Sequence, residues 1–156
     1  MEEAILHTPL GTARVQGSSE GVRSISLSDK LDIPETVPPV LEHACRQLQE
    51  YFGGRRTHFD FRLDLQGTPF QITVWNALLE IPYGQTLSYM DLAKRLGDPK
   101  AIRAVAAANG QNPLWVVVPC HRVVGSDGSL TGYAGGLHRK KWLLNHESPH
   151  PQQRLF

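Results

Sequence analysis

The sequence predicts an α+β fold: a small N-terminal antiparallel three-stranded sheet plus helix, then a mostly helical C-terminal domain with a helix-turn-helix. Three observations predict it. Residues 22–28 alternate apolar and polar side chains, the period of a half-buried strand, and turn residues punctuate the chain before them. From Val40 the apolar positions switch to helical spacing, with Leu41, Ala44, Cys45, Leu48 and Phe52 on one stripe. Residues 88–110 hold two short capped helical patterns joined by a glycine-containing turn.

The strands fall at residues 4–7, 12–16 and 22–28, divided by Thr8-Pro9-Leu10-Gly11 and Gly17-Ser18-Ser19. Pro34, Pro38 and Pro39 break the chain before the first helix, and Gly53-Gly54 stops it. Cys45 sits on the apolar stripe of that helix and reads as core packing. Residues 59–65 alternate strictly and read as an extended linker strand. Gly67-Thr68-Pro69 marks a boundary, which divides the chain into 1–66, 67–147 and a flexible tail, 148–156.

Thr68 caps the next helix and Pro69 suits its first position; Phe70, Ile72, Val74, Trp75, Leu78 and Leu79 give it a broad buried face. Ser88 caps a helix over 89–96, which Gly97 stops; Asp98 and Pro99 start another that runs to about Asn109-Gly110. Pattern alone fits a helix-turn-helix and a plain helical hairpin alike. The apolar run 114–118 reads as a buried strand or extended segment. Val123-Val124, a turn at 125–128 and residues 129–131 read as a tight hairpin. A last helix over 137–146 carries Trp142, Leu143 and Leu144 toward the core.

The chain has 156 residues, 40% apolar and 20% charged, which excludes a disordered chain. It contains no apolar run of the ~18 residues that a membrane-spanning helix needs. The N-terminus lacks the basic-then-apolar pattern of a signal peptide. Two cysteines are too few for a disulfide scaffold, so both thiols are expected free in a reducing, cytoplasmic compartment. Charge is split: residues 1–65 carry −3 and residues 66–156 carry +4. A polyanionic partner is expected at the second half.

The second helix of the pair has a face of Lys100, Arg103, Ala104 and Ala107, with Ile102 and Val105 as its buried edge. Small residues let a backbone approach another surface, and one arginine among them can enter a narrow groove, which suits nucleic acid. Alanine's preference for helix accounts for the same face without a ligand.

Cys120 lies between Pro119 and His121 at the end of the apolar run. A free thiol, with pKa ~8.5, is only a few per cent thiolate near neutrality. An adjacent imidazole can take its proton, directly or through one water, and a carboxylate such as Glu147 can fix the imidazole tautomer. A buried, inert cysteine beside a surface histidine gives the same dipeptide without any chemistry.

The surrounding string is more specific. Pro119-Cys120-His121-Arg122-Val123-Val124-Gly125, then Gly132-Tyr133-Ala134-Gly135-Gly136 and Lys141-Trp142-Leu143-Leu144-Asn145-His146-Glu147, closely resembles the O6-alkylguanine-DNA alkyltransferases, or methylated-DNA–protein-cysteine methyltransferases. The likeness continues through Thr68-Pro69-Phe70-Gln71, Val74-Trp75, Ile81-Pro82-Tyr83-Gly84, Ser88-Tyr89 and Lys100-Ala101-Ile102-Arg103-Ala104-Val105. It covers residues 68–147 almost continuously; the N-terminal part fits in its coarse pattern.

The resemblance implies a ribonuclease H-like N-terminal domain and a single-turnover DNA repair activity. An alkyl group passes from O6 of a guanine flipped out of duplex DNA, or from O4 of a thymine, to Cys120 by SN2 displacement. His121 is then the base acting through water, and Glu147 its orienting carboxylate. Tyr89 donates to the departing base, and Arg103 fills the hole it leaves in the minor groove. Asn112 braces the active-site turn, Tyr133 forms a pocket wall, and the Ala134 amide points at O6. The carbonyls of Cys120 and Val123 read the guanine amine. A thioether has no route back, so each molecule acts once, as a monomer without metal or other cofactor.

Trp115 stands where a smaller residue is expected in that family, and lines the pocket entrance or merely packs. Ala134 stands where some members have serine. Rival classes are a non-enzymatic reader of alkylated DNA, which Cys120 argues against, and a cysteine hydrolase, for which no oxyanion hole is marked. The string Gln152-Gln153-Arg154-Leu155-Phe156 resembles a sliding-clamp-binding pentapeptide, and fits equally a tail without a partner.

Overall fold

The computed structural model describes residues 1–34 and 36–149. The chain forms two compact units: one is Met1–Gln66 with Pro113–Val117, and the other takes 67–112 and 118–149. The tail string from Gln152 lies outside the described residues.

In the first unit β1 (Glu2–Thr8), β2 (Gly11–Ser18) and β3 (Gly21–Ser28) form an antiparallel sheet in the order β1-β2-β3. The two turns fall where the sequence put them. Thr8 pairs with Gly11 around Pro9-Leu10, and Ser18 with Gly21 around Ser19-Glu20. Gly21 has φ +135°, and a Cβ there would meet the Leu63 backbone at 2.9 Å, so this turn needs glycine. Val15 and Ile25, paired across β2 and β3, are almost fully buried. A 3₁₀ turn at Pro39–Leu41 leads into α1 (Glu42–Phe52), which buries Ala44, Cys45, Leu48 and Tyr51 with Leu41. Cys45 is core, as its place on the stripe predicted.

The alternating segment 59–65 is not a full strand. Only Leu63 bridges, to Val22, with Val22 N donating to Arg62 O and Asp64 N to Val22 O. The run 114–118 is buried except at half-buried Trp115, and it is not a strand either. Leu114 bridges Ile25, Trp115 N donates to Ile25 O at 3.0 Å, and the chain then turns at Val116, whose φ is +76°. Continuous hydrophobicity reports burial; it does not report extension.

In the second unit α2 (Pro69–Leu78) starts with a complete capping box: Thr68 Oγ1 accepts from Gln71 N and Gln71 Oε1 accepts from Thr68 N. Its Trp75 is 2% exposed and donates from Nε1 to Ala108 O at 2.9 Å. Truncating such a ring to alanine costs about 3–5 kcal/mol. A short β4 (Leu87–Ser88) precedes α3 (Tyr89–Arg95), whose N-cap Ser88 accepts from Asp91 N. After Gly97 (φ +91°), Asp98 caps a 3₁₀ turn at Pro99–Ala101 that continues as α4 (Ile102–Gly110). The helix–turn–helix pattern is therefore formed.

The expected hairpin at 123–131 is not. β5 (Val123–Val124) pairs in parallel with β4, while Gly125 N to Ser129 O and Gly128 N to Gly125 O close the turn. α5 (Leu137–Glu147) buries Leu143 and Leu144; Trp142 is only half-buried and stacks on His146 at 4.6 Å between centroids. Among the described residues, no helix is long and apolar enough to cross a membrane.

Candidate active site

The turn that carries the cysteine is built by its backbone. Asn112 Nδ2 donates to Val118 O at 2.7 Å, Cys120 N donates to the same carbonyl at 2.8 Å, and Arg122 N closes onto Pro119 O. The Asn112 side chain thus ties into the backbone at the start of the turn. Cys120–Arg122 forms one 3₁₀ turn. Such a turn directs successive side chains about 120° apart. Cys120, His121 and Arg122 are all buried, at 5%, 0% and 7% exposure.

His121 and Arg122 both meet Glu147 at the end of α5. His121 Nε2 lies 2.8 Å from Glu147 Oε2; Arg122 donates from Nε to Oε1 at 2.8 Å, from Nη2 to Oε2 at 3.1 Å and from Nη1 to Ile81 O at 2.7 Å. Burial alone would raise the Glu147 carboxyl; His121 and Arg122 outweigh it and hold the group far below the usual range. Burial lowers His121 against the opposing pull of Glu147. The consistent state is an ionised Glu147 against the permanent cation of Arg122, with His121 neutral. His121 then donates from Nε2 to Glu147, which makes Nδ1 the basic nitrogen. That Nδ1 is buried and has no hydrogen-bond partner among the described residues.

Burial pushes the Cys120 thiol up to about 11, with Asn112 and Lys140 pulling the other way. At that value only about one thiol in ten thousand is ionised at pH 7. The sulfur is therefore inert until a base takes its proton.

Beside this turn is a cavity of about 630 Å³. Of the residues picked from the sequence, Tyr89, Arg103, Tyr133 and Ala134 line it. Arg103 is also exposed, so it stands at the rim. Lys100, Ala104 and Ala107 are exposed on or just before α4, away from the lining. Ile102, placed on the buried edge from its spacing, is instead half-exposed and lines the cavity; Val105 alone is buried. Asn112 and Val123, like Cys120, are buried and are not among the lining residues, and Trp115 belongs to the other unit.

Sequence reasoning missed Asn109, Arg122 and Lys140. Lys140 is fully buried, and its Nζ donates to Val123 O at 2.6 Å, Thr131 O at 2.8 Å and Gly132 O at 3.3 Å. Burial lowers it to about 8, and it still carries its charge at pH 7. One ammonium thus ties the strand after Cys120 to the cavity loop. The signal was available: Lys140 shares the α5 face of Leu143, Leu144 and Glu147, where a lysine needs partners. Among the described residues, no group of three His, Cys, Asp or Glu is placed to hold a metal.

Two family models match the chain: the ribonuclease-like domain of 6-O-methylguanine DNA methyltransferase over residues 1–65, and its DNA binding domain over residues 69–149. A methylated-DNA–protein-cysteine methyltransferase of Methanosarcina acetivorans is 44% identical over 153 residues, covering 94% of this chain and 98% of that protein. A constitutive one of Bacillus subtilis is 47% identical over 150 residues, 90% and 91% of the two chains. The crystal structure of Mycobacterium tuberculosis OGT in complex with DNA superposes with a TM-score of 0.85 at 42% identity, covering 97% of each chain.

Proposed function

The chain belongs to the 6-O-methylguanine DNA methyltransferase family, and we propose that Cys120 is the atom on which it ends the life of an O6-alkyl lesion. The observation that carries this is the buried His121–Glu147 pair next in the chain to buried Cys120, with a partnerless Nδ1 on His121, and a cavity whose wall residue Asn109 reaches the Cys120 carbonyl.

The reaction is a displacement at the alkyl carbon. His121 Nδ1 takes the thiol proton through one water, and Glu147 stabilises the imidazolium. The thiolate forms an S–C bond as the C–O6 bond breaks, and the electron pair passes into the guanine ring. Tyr89 offers its hydroxyl hydrogen to that ring. The protein keeps the alkyl group as a thioether, so stoichiometry is one to one.

A stacked base cannot reach a walled cavity, so the nucleotide must leave the duplex, which costs a few kcal/mol. Arg103, exposed at the rim, enters the minor groove and replaces the lost stacking, while Lys100, Ala104 and Ala107 present the backbone of α4 to phosphates. Tyr133 and the Ala134 amide flank O6, the carbonyls of Cys120 and Val123 take the exocyclic amine, and Trp115 packs outside the lining. Residues 67–147 carry binding and transfer; the unit acts as a monomer, in the cytoplasm, without cofactor.

Mass spectrometry tests the central step. Incubation with O6-methylguanine DNA adds one methyl group, about 14 Da, to the peptide that holds Cys120, and Cys120→Ser binds DNA without gaining mass. Continued turnover would indicate a hydrolase, and an unmodified Cys120 a reader. The string from Gln152 to Phe156 is read as a clamp-binding hook on sequence alone; deleting those five residues weakens clamp binding if so, and unchanged binding removes the reading.

A further inference from the structure

Asn109, near the end of α4, is 4% exposed and lines the cavity beside Tyr89. Its Nδ2 reaches the Cys120 carbonyl at 3.5 Å, while its Oδ1 is buried with no hydrogen-bond partner among the described residues. A buried acceptor left unpaired costs about 1–3 kcal/mol. A leucine fills a similar volume without that cost. A polar group retained against stability at a cavity wall has a task there.

Tyr89 supplies the task. Its single hydroxyl hydrogen is given to Thr131 O at 3.1 Å. The same hydroxyl faces the Asn109 amide, a contact that favours the phenolate while burial opposes it. To serve a departing base the hydroxyl must turn from Thr131, and its oxygen gains negative charge as the hydrogen moves away. An amide NH₂ carries two hydrogens. One can rest on the Cys120 carbonyl while the other meets that oxygen.

We propose that Asn109 is a positioning residue for the transfer: its side-chain amide bridges the Cys120 carbonyl and the Tyr89 hydroxyl, and holds the hydrogen donor in register with the accepting sulfur. The proposal rests on the roles given to Cys120 and Tyr89 above. It separates Asn109 from Asn112, which braces the backbone of the turn and stands outside the cavity lining.

The test is a double-mutant cycle on single-turnover transfer from methylated duplex DNA, with wild type, N109L, Y89F and the double variant. N109L slows transfer about tenfold in the wild-type background and less than about twofold in the Y89F background. Its melting temperature equals or exceeds that of wild type. N109S, which is too short to bridge, gives the same kinetic pattern and serves if N109L does not fold. An unchanged rate in N109L and N109S overturns the proposal, as does an equal loss with and without the Tyr89 hydroxyl. A Y89F protein as fast as wild type overturns it too, by removing the donor role itself. Absence of methyl on wild-type Cys120 is a separate failure, that of the reaction.

Discussion

Glu147 holds His121 and Arg122 on one carboxylate: Oε2 lies 2.8 Å from His121 Nε2, and Oε1 accepts from Arg122 Nε at the same distance. The imidazole is therefore locked by an anion whose charge is already matched by a guanidinium. Burial keeps His121 neutral against the pull of Glu147, and the Arg122 charge adds to the effect of burial.

Acid stability follows from these two groups. Unfolded histidine takes a proton near pH 6.5 and unfolded glutamate near about 4.3. In the fold His121 is lowered by burial, and Glu147 is lowered by His121 and Arg122. In each case the unfolded chain binds more protons, so stability falls as pH drops. The His121 contribution is lost from about pH 6.5 downward and the Glu147 contribution from about 4.3 downward. Melting curves taken from about pH 7.5 down to about 2.5 should show both losses, with the first missing in His121→Gln. The transfer rate should hold its value down to at least about pH 6.5 and decline only below it.

Glu147→Gln removes the charge that faces Arg122 and leaves a buried guanidinium unmatched. Breaking such a pair costs about 3–5 kcal/mol. Denaturant titration should read a loss of that order, and transfer should slow because the imidazolium loses its stabilising anion.

Arg103→Ala separates extrusion from chemistry. Transfer from duplex DNA should slow about tenfold, while transfer from a small free-base O6-alkylguanine, which needs no flipping, should change less than about twofold. Equal slowing of both substrates would remove the groove-filling role.

Lys140→Met cuts the tie between Val123 and the loop carbonyls of Thr131 and Gly132. The three carbonyls lose a charged donor, and a melting-temperature drop equivalent to about 2 kcal/mol is expected. Limited proteolysis should then cut within residues 131–136 before any other site, and transfer should slow with it.

Gly67→Ala would put a Cβ 2.6 Å from the Trp75 ring. Overpacking of this kind costs about 1–3 kcal/mol, readable by thermal melting, with transfer per folded molecule unchanged.

Strands, caps and the helix–turn–helix were legible because each has a local signal: Gly11 and Gly21 at turns, Thr68 and Ser88 at helix starts. The Cys-His pair was legible as a dipeptide inside a specific string. What escaped was non-local. The pairing of Val123-Val124 with Leu87-Ser88 joins segments more than thirty residues apart, and nothing in either dipeptide names its partner. The turn at Val116 defies the preference of a β-branched residue, so composition pointed to a strand. Arg122, read only as part of a string, proved to be the counter-charge of Glu147.

The excursion of Pro113–Val117 has a consequence for anyone who would dissect this chain. Those five residues belong with the N-terminal sheet, Leu114 bridging Ile25, while Asn112 and Val118 on either side are stitched together by a side-chain hydrogen bond. A scissile point chosen between residues 66 and 67 would look clean on paper. The C-terminal fragment it released would carry Leu114, Val116 and Val117 bereft of the strand they lie along, at the root of the loop that presents the sulfur. A fragment meant to keep residues 113–117 in their observed setting must bring β3 with it.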